Sequence, residues 1–197
     1  MLRKILEFGL TMTLKWSENC GKAIKKAMSV LGMIKRTFNV IDCHTFKILY
    51  KTYVRPHLEY CIQACSPYFK KDINCLERVQ QRATKLVRSL RKLPYEKRLE
   101  ALDLYSLERR RIRGDLIETF KILTRKDNVN YETFFTMART GHLRGNSLKL
   151  FKGRARLEVR KHFFSQRVIE AWNKLPDEVV KAESVSKFKN CLDKWMN

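Results

Sequence analysis

Three groups of residues have types and spacings that could carry chemistry. His57, Cys61 and Cys65 stand four residues apart, and Cys43 and His44 are adjacent. Thiolate sulfur and imidazole nitrogen are zinc ligands, but this block lacks a second well-spaced ligand pair. Packing of the cysteines as small apolar residues is therefore the stronger reading. Carboxylates form the second group. Two-metal phosphoryl or nucleotidyl transfer needs clustered acids to hold divalent cations at the reacting phosphate. The seven aspartates (42, 72, 103, 115, 127, 177, 193) are never closer than twelve residues apart, and no Asp-Asp pair occurs. The chain also has no glycine-rich phosphate loop, no GxSxG elbow and no HExxH; His44, His57, His142 and His162 are never four apart. These patterns predict no catalytic residue, no metal and no cofactor. The third group is cationic. Arg78, Arg82, Lys85, Arg88 and Lys92 follow one another at four, three, three and four residues, the rhythm of one helix face.

Positive charge dominates the whole chain. Its 197 residues contain 42 Lys plus Arg against 20 Asp plus Glu, a formal net charge of +22. Residues 78–113 hold twelve basic and four acidic side chains, including Arg109, Arg110, Arg111 and Arg113. Residues 139–167 hold nine basic and one acidic, including Arg154, Arg156 and Arg160. Each stretch carries a net +8, so the charge lies on patterned segments and not on a tail. Such a surface fits a polyanion, bound with strong salt dependence and little sequence preference. The nucleic-acid-binding candidates are therefore Arg78, Arg82, Lys85, Arg88, Lys92, Arg109, Arg110, Arg111, Arg113, Arg154, Arg156 and Arg160.

The elements that must position these residues read as mainly helical. Glycine (7) and proline (4) are too few for a turn-rich β-sandwich, and apolar residues at 44% suffice for a core. Ser17 opens a helix to about Arg36, with Ala23, Ile24, Ala27, Leu31 and Ile34 as its apolar stripe. Asp42 caps a helix carrying Phe46, Leu49, Tyr50 and Tyr53, interrupted at Val54-Arg55-Pro56, and His57 to Ala64 resumes as a buried helical segment. The clearest helix is predicted from Asp72 to Lys92, and another from Ser106 to about Thr124. Residues 8–14 suggest one short strand, and 147–160 a small basic hairpin. Two further helices are expected, one around Phe163 to Trp172 and one after Ser184 carrying Phe188, Leu192 and Trp195. The fold class is thus mainly α, a helical bundle with a short N-terminal strand. No uncharged run approaches the ~18–20 residues of a membrane span, and the charged first residues do not make a signal peptide. An intracellular protein with reduced thiols and no membrane partner is expected.

Several stretches also look familiar together. Leu31 to Phe38 (LGMIKRTF) precedes Tyr50-x-x-Tyr53-Val54-Arg55-Pro56-His57-Leu58-Glu59-Tyr60-Cys61. Then come Ser66-Pro67, Leu76 to Lys85 (LERVQQRATK) and Arg109-Arg110-x-x-Arg113-Gly114-Asp115-Leu116. Phe163-Phe164-Ser165-x-Arg167-Val168 and Trp172-Asn173-x-Leu175-Pro176 close the series. In this order they resemble the C-terminal region of reverse transcriptases encoded by non-LTR (LINE-like, jockey-type) retrotransposons, across residues 14–195. In that family this region follows the polymerase palm, whose Tyr-x-Asp-Asp motif holds the catalytic aspartates. The resemblance implies a thumb and connection region over 17–125 that grips template and primer. It implies an RNA-associated C-terminal extension over 126–197, and it leaves residues 1–16 poorly matched. It maps no catalytic residue onto this chain, and Cys65 stands where a tryptophan usually precedes Ser-Pro.

The expected protein is a truncated, non-catalytic remnant of an RNA-directed DNA polymerase. Its expected partners are RNA or an RNA–DNA hybrid, with no small-molecule substrate, and its expected packing partner is a polymerase palm encoded elsewhere. The competing reading is a non-functional fragment of a decayed mobile element that exposes its former palm-packing face. Within the chain, Arg55 and Glu59 are expected to pair across Pro56 while Tyr53 and Tyr60 pack, and Trp172 and Trp195 are expected in the core.

Overall fold

A computed structural model describes residues 16–60, 66–139 and 146–196. The described residues are mainly helical and form two units, one up to Arg111 and one from Ile112, with the division falling within a helix. The strand suggested for 8–14 lies outside the described residues, as do Cys61 and Cys65. Among the described residues no helix is long and apolar enough to cross a membrane.

The first unit begins with α1 (Trp16–Thr37), whose Ala27, Leu31 and Ile34 recur every three or four residues and are buried. Asp42 caps α2 (Cys43–Leu49), accepting from the Thr45 amide at 2.7 Å. Proline does not end this helix. A π-helical turn at Tyr50–Val54 leads directly into α3 (Arg55–Leu58), with the Arg55 amide donating back to the Tyr50 carbonyl. Pro56 lacks an amide hydrogen and its ring crowds the preceding turn, and the wider turn makes room for it. The altered register aims Tyr50 and Val54 inward, whereas Tyr53 is 55% exposed and Tyr60, beyond the helix end, is 80% exposed. Neither tyrosine packs as expected.

α1 packs on the π turn, on α3 and on α4 (Lys70–Thr84), which carries Leu76, Val79 and Ala83 into the same core. α4 ends at Thr84, well short of Lys92. Its last turn closes through the Lys85 amide on the Arg82 carbonyl and the Leu86 amide on the Ala83 carbonyl, and Val87 is extended. Burial of Val87 just before a 3-10 turn (Arg88–Leu90) and of Leu90 at its end overrides helix continuation. Arg88 and Lys92 therefore leave the helix. α5 (Tyr95–Ala101) follows and packs on α4, and α6 (Leu107–Leu123) begins where Ser106 Oγ accepts from the Arg109 amide at 3.2 Å.

Two buried polar links lock this unit. Tyr50 Oη donates to Gln80 Oε1 at 2.6 Å, and Gln80 Nε2 donates to the Tyr105 carbonyl at 2.9 Å. Glu77 accepts from Tyr95 Oη and, at 3.1 Å, from the Leu107 amide at the start of α6. Burial and the Glu77 carboxylate both push the Tyr95 phenol pKa upward, so that group stays a donor.

In the second unit Met137 and Leu150 form an isolated antiparallel bridge, with the Ala138 amide on the Lys149 carbonyl at 2.9 Å. The pairing expected inside 147–160 thus uses 136–138 as its partner. Beyond Phe151, whose amide donates to the Thr136 carbonyl at 2.7 Å, the chain is irregular until the single turn of α7 (Glu158–Lys161). α8 (Phe164–Asn173), α9 (Asp177–Val180) and α10 (Val185–Met196) follow. The core is aromatic: Phe120 stacks on Phe188 with centroids 4.2 Å apart, and Trp172 lies 6.1 Å from the same ring. Trp172 is wholly buried and its Nε1 donates to the Leu148 carbonyl at 2.8 Å. Trp195, by contrast, is exposed. Cys191 and Met196 pack against the core at that end of α10 in its place.

Candidate nucleic-acid interface

The twelve candidate cations separate into three environments. Arg78, Arg82, Lys85, Arg88 and Lys92 are all exposed, as are Arg154, Arg156 and Arg160. Arg109 is half-buried, its guanidinium 4.2 Å from the centroid of the Tyr105 ring. The remaining three are held inside the fold.

Arg110 grips Glu59 with both ends of its guanidinium, Nη2 donating at 3.0 Å, and Arg55 stands on the same carboxylate at 3.9 Å. The pair expected between Arg55 and Glu59 is therefore the weaker half of a triad. Burial, then the neighbouring Arg110 charge, holds the Arg55 pKa below its ordinary range. Arg111 is 6% exposed, and burial lowers its guanidinium too, against the pull of Glu77. Arg113 donates to both oxygens of Asp193, at 2.5 and 2.8 Å. Arg110, Arg111 and Arg113 thus serve the fold and leave the candidate surface. Their adjacency in sequence hid this, because a helix turns successive residues to different faces.

In the first unit the exposed cations converge on a cleft of about 450 Å3 between the end of α1 and the turn after α4. Arg82, Lys85 and Arg88 line it together with Lys35 from the last turn of α1 and with Arg91. Phe38, Ile41 and Leu86 supply its apolar part. Among the described residues no acidic one lines it. The adjacent Asp42 is spent on its cap, and its hydrogen bonds from Thr45 hold its carboxyl below the ordinary value. Among the described residues no carboxylate pairs with Lys35, Arg82, Lys85 or Arg91. Arg88 is fixed by one hydrogen bond, Nη2 donating to the Asn39 carbonyl at 3.1 Å. Five cations around one concavity raise the local concentration of anions, and guanidinium forks match phosphate oxygens. Sequence periodicity found Arg82, Lys85 and Arg88 but missed Lys35, Phe38 and Arg91. The signal for the first two was Lys35-Arg36 closing a helix just before an aromatic residue. Arg78 and Lys92 are exposed but do not line the cleft.

In the second unit Lys152, Arg154, Arg156 and Lys161 surround a hollow of about 600 Å3 beside Gln166. Lys152 pairs with Glu170 and Lys161 with Glu158, whereas Arg154 and Arg156 have no acidic partner among the described residues. This hollow is the more neutralised of the two.

The aspartates are spread over separate partners, although Asp127 shares Lys121 with the neighbouring Glu118. Asp115 takes both ends of Arg167 at 2.8 Å, Asp177 accepts from Lys181 and from the Ser147 amide, and Asp193 holds Arg113. Among the described residues no three His, Cys, Asp or Glu side chains gather as metal ligands. Cys20, Cys43, Cys75 and Cys191 are free thiols, and burial pushes that of Cys20 up to about 11. Compared with protein-family models, with curated proteins and with solved structures, the chain finds no match in any of the three.

Proposed function

We propose that this chain binds nucleic acid through its phosphate backbone, without sequence specificity, and that it corresponds to the post-palm portion of a non-LTR retrotransposon reverse transcriptase with no polymerase chemistry of its own. The cleft of the first unit carries the binding reading: five basic side chains from two segments distant in sequence, with no acid in the lining. RNA or an RNA–DNA hybrid is the partner, in an intracellular setting. The ordered series of motifs from Leu31 to Pro176 supports the lineage.

Fluorescence anisotropy of labelled RNA across a salt series tests this reading. Affinity should fall linearly on a log–log plot as salt rises, because each neutralised phosphate releases counterion. Absence of binding at low salt, or affinity flat with salt, contradicts it.

A second reading is favoured by a different observation. Met33, Ile48, Tyr53 and Phe69 in the first unit are each more than half exposed, which fits a fragment whose apolar side chains once faced a palm. Light scattering distinguishes the two: a fragment of this kind self-associates, whereas the nucleic-acid-binding reading expects a stable monomer.

A further inference from the structure

We propose that the cleft between the end of α1 and the turn after α4 takes a single strand, with Phe38 stacking on one unpaired base while Lys35, Arg82, Lys85 and Arg91 hold the flanking phosphates. This deepens the reading above and rests on it. Phe38 follows directly on the last residue of α1, and its amide still donates to the Ile34 carbonyl at 3.0 Å, so its position is set by the helix. The residue is nevertheless 38% exposed. Buried Ile41 and half-buried Leu86 line the cleft with it, so the cleft holds an apolar patch among its cations.

A rim of cations alone does not discriminate between strands, because single strands, duplexes and hybrids all offer phosphates. An exposed aromatic ring among them does. In a duplex both faces of each base are already stacked on neighbours, and an unpaired base has a free face. Every base has such a face, so the contact selects single strands without selecting sequence. Arg88, held on the Asn39 carbonyl, ties the cationic turn to the segment that carries Phe38.

The test compares one labelled, unstructured oligoribonucleotide with the same strand annealed to its RNA or DNA complement, using the full chain. The native protein should prefer the single strand. Phe38→Leu keeps apolar bulk but removes the π face, and should weaken single-strand binding roughly tenfold while leaving duplex affinity unchanged. Its salt slope should also be unchanged. Phe38→Trp should restore the preference, which guards against a variant that merely perturbs the fold. Equal affinity of the native protein for single strand and duplexes, or equal loss on both with F38L, overturns the proposal. In that case steep salt dependence would still stand for nucleic-acid binding itself, whereas no binding by the native protein at low salt removes both.

Discussion

Arg88 donates from its guanidinium to the backbone carbonyl of Asn39, 3.1 Å away and 49 residues earlier in the chain. That bond joins the turn after α4 to the link between α1 and α2, the two segments that wall the basic cleft. It depends on α4 ending at Thr84. Had the helix run on to Lys92, Arg88 would have stayed on its outer face with Arg78 and Lys85. A break in regular structure therefore makes the concavity in which the cations collect.

Gln80 is the hinge pin of the first unit, accepting from Tyr50 and donating to the Tyr105 carbonyl while 1% exposed. Gln80→Leu strands the buried Tyr50 hydroxyl and removes a donor from the half-buried Tyr105 carbonyl. Urea unfolding should show a loss of about 1–3 kcal/mol for each group left unpaired. Tyr50→Phe should cost less, since it strands only one lone pair of Gln80. Equal stability of native protein and Gln80→Leu would contradict the network.

Arg167 and Asp115 form the most enclosed ion pair of the second unit, with side chains 15% and 8% exposed. Removing one partner leaves the other charge buried. Asp115→Leu or Arg167→Met alone should destabilise by about 3–5 kcal/mol, and the double variant by much less. Thermal or urea unfolding of all four proteins gives the coupling. Additive losses would show that the pair is not an energetic unit.

Asp42 gives a dependence on pH of known sign. Hydrogen bonds from Thr45 lower its pKa from the ordinary 3.8, so the cap's contribution is complete above that value and is lost as pH falls through the lower, folded one. The difference in unfolding midpoint between native protein and Asp42→Ala should be constant from neutral pH down to 3.8 and shrink below it. Asp42→Asn, which caps without ionising, should keep its margin over alanine throughout. A margin for the native residue that persists undiminished in strong acid would contradict the assignment.

Much of the fold was legible in the sequence because it rests on local signals. The stripe Ala27, Leu31, Ile34, the cap at Asp42 and the start after Ser184 each reside within a few residues, and α1, α2 and α10 form where they point. Pro56 misled because its disruption was absorbed by a π turn and not by a break. The end of α4 was illegible because the apolar period continues through Val87 and Leu90, and only tertiary burial turns those residues inward by another route. The site was half legible. Periodicity marks Arg82, Lys85 and Arg88 as one face, but nothing local reveals Glu59 as the partner of Arg110, 51 residues away, or Asp193 as that of Arg113, 80 away. Charge counted along the chain therefore overstated the free surface, and Lys35 and Phe38 entered the cleft from a segment the count had not singled out.

The most direct measurement is the salt dependence of RNA affinity for native protein beside the triple variant Arg82→Gln, Lys85→Gln, Arg91→Gln. These three side chains are exposed and lack acidic partners among the described residues, so their loss should leave stability nearly unchanged. If they neutralise phosphates, affinity should drop at every salt concentration and the log–log slope should become shallower by about 2, since each single-strand phosphate contact contributes roughly 0.7. An unchanged slope and affinity in the triple variant would contradict the assignment of the cleft as the nucleic-acid interface.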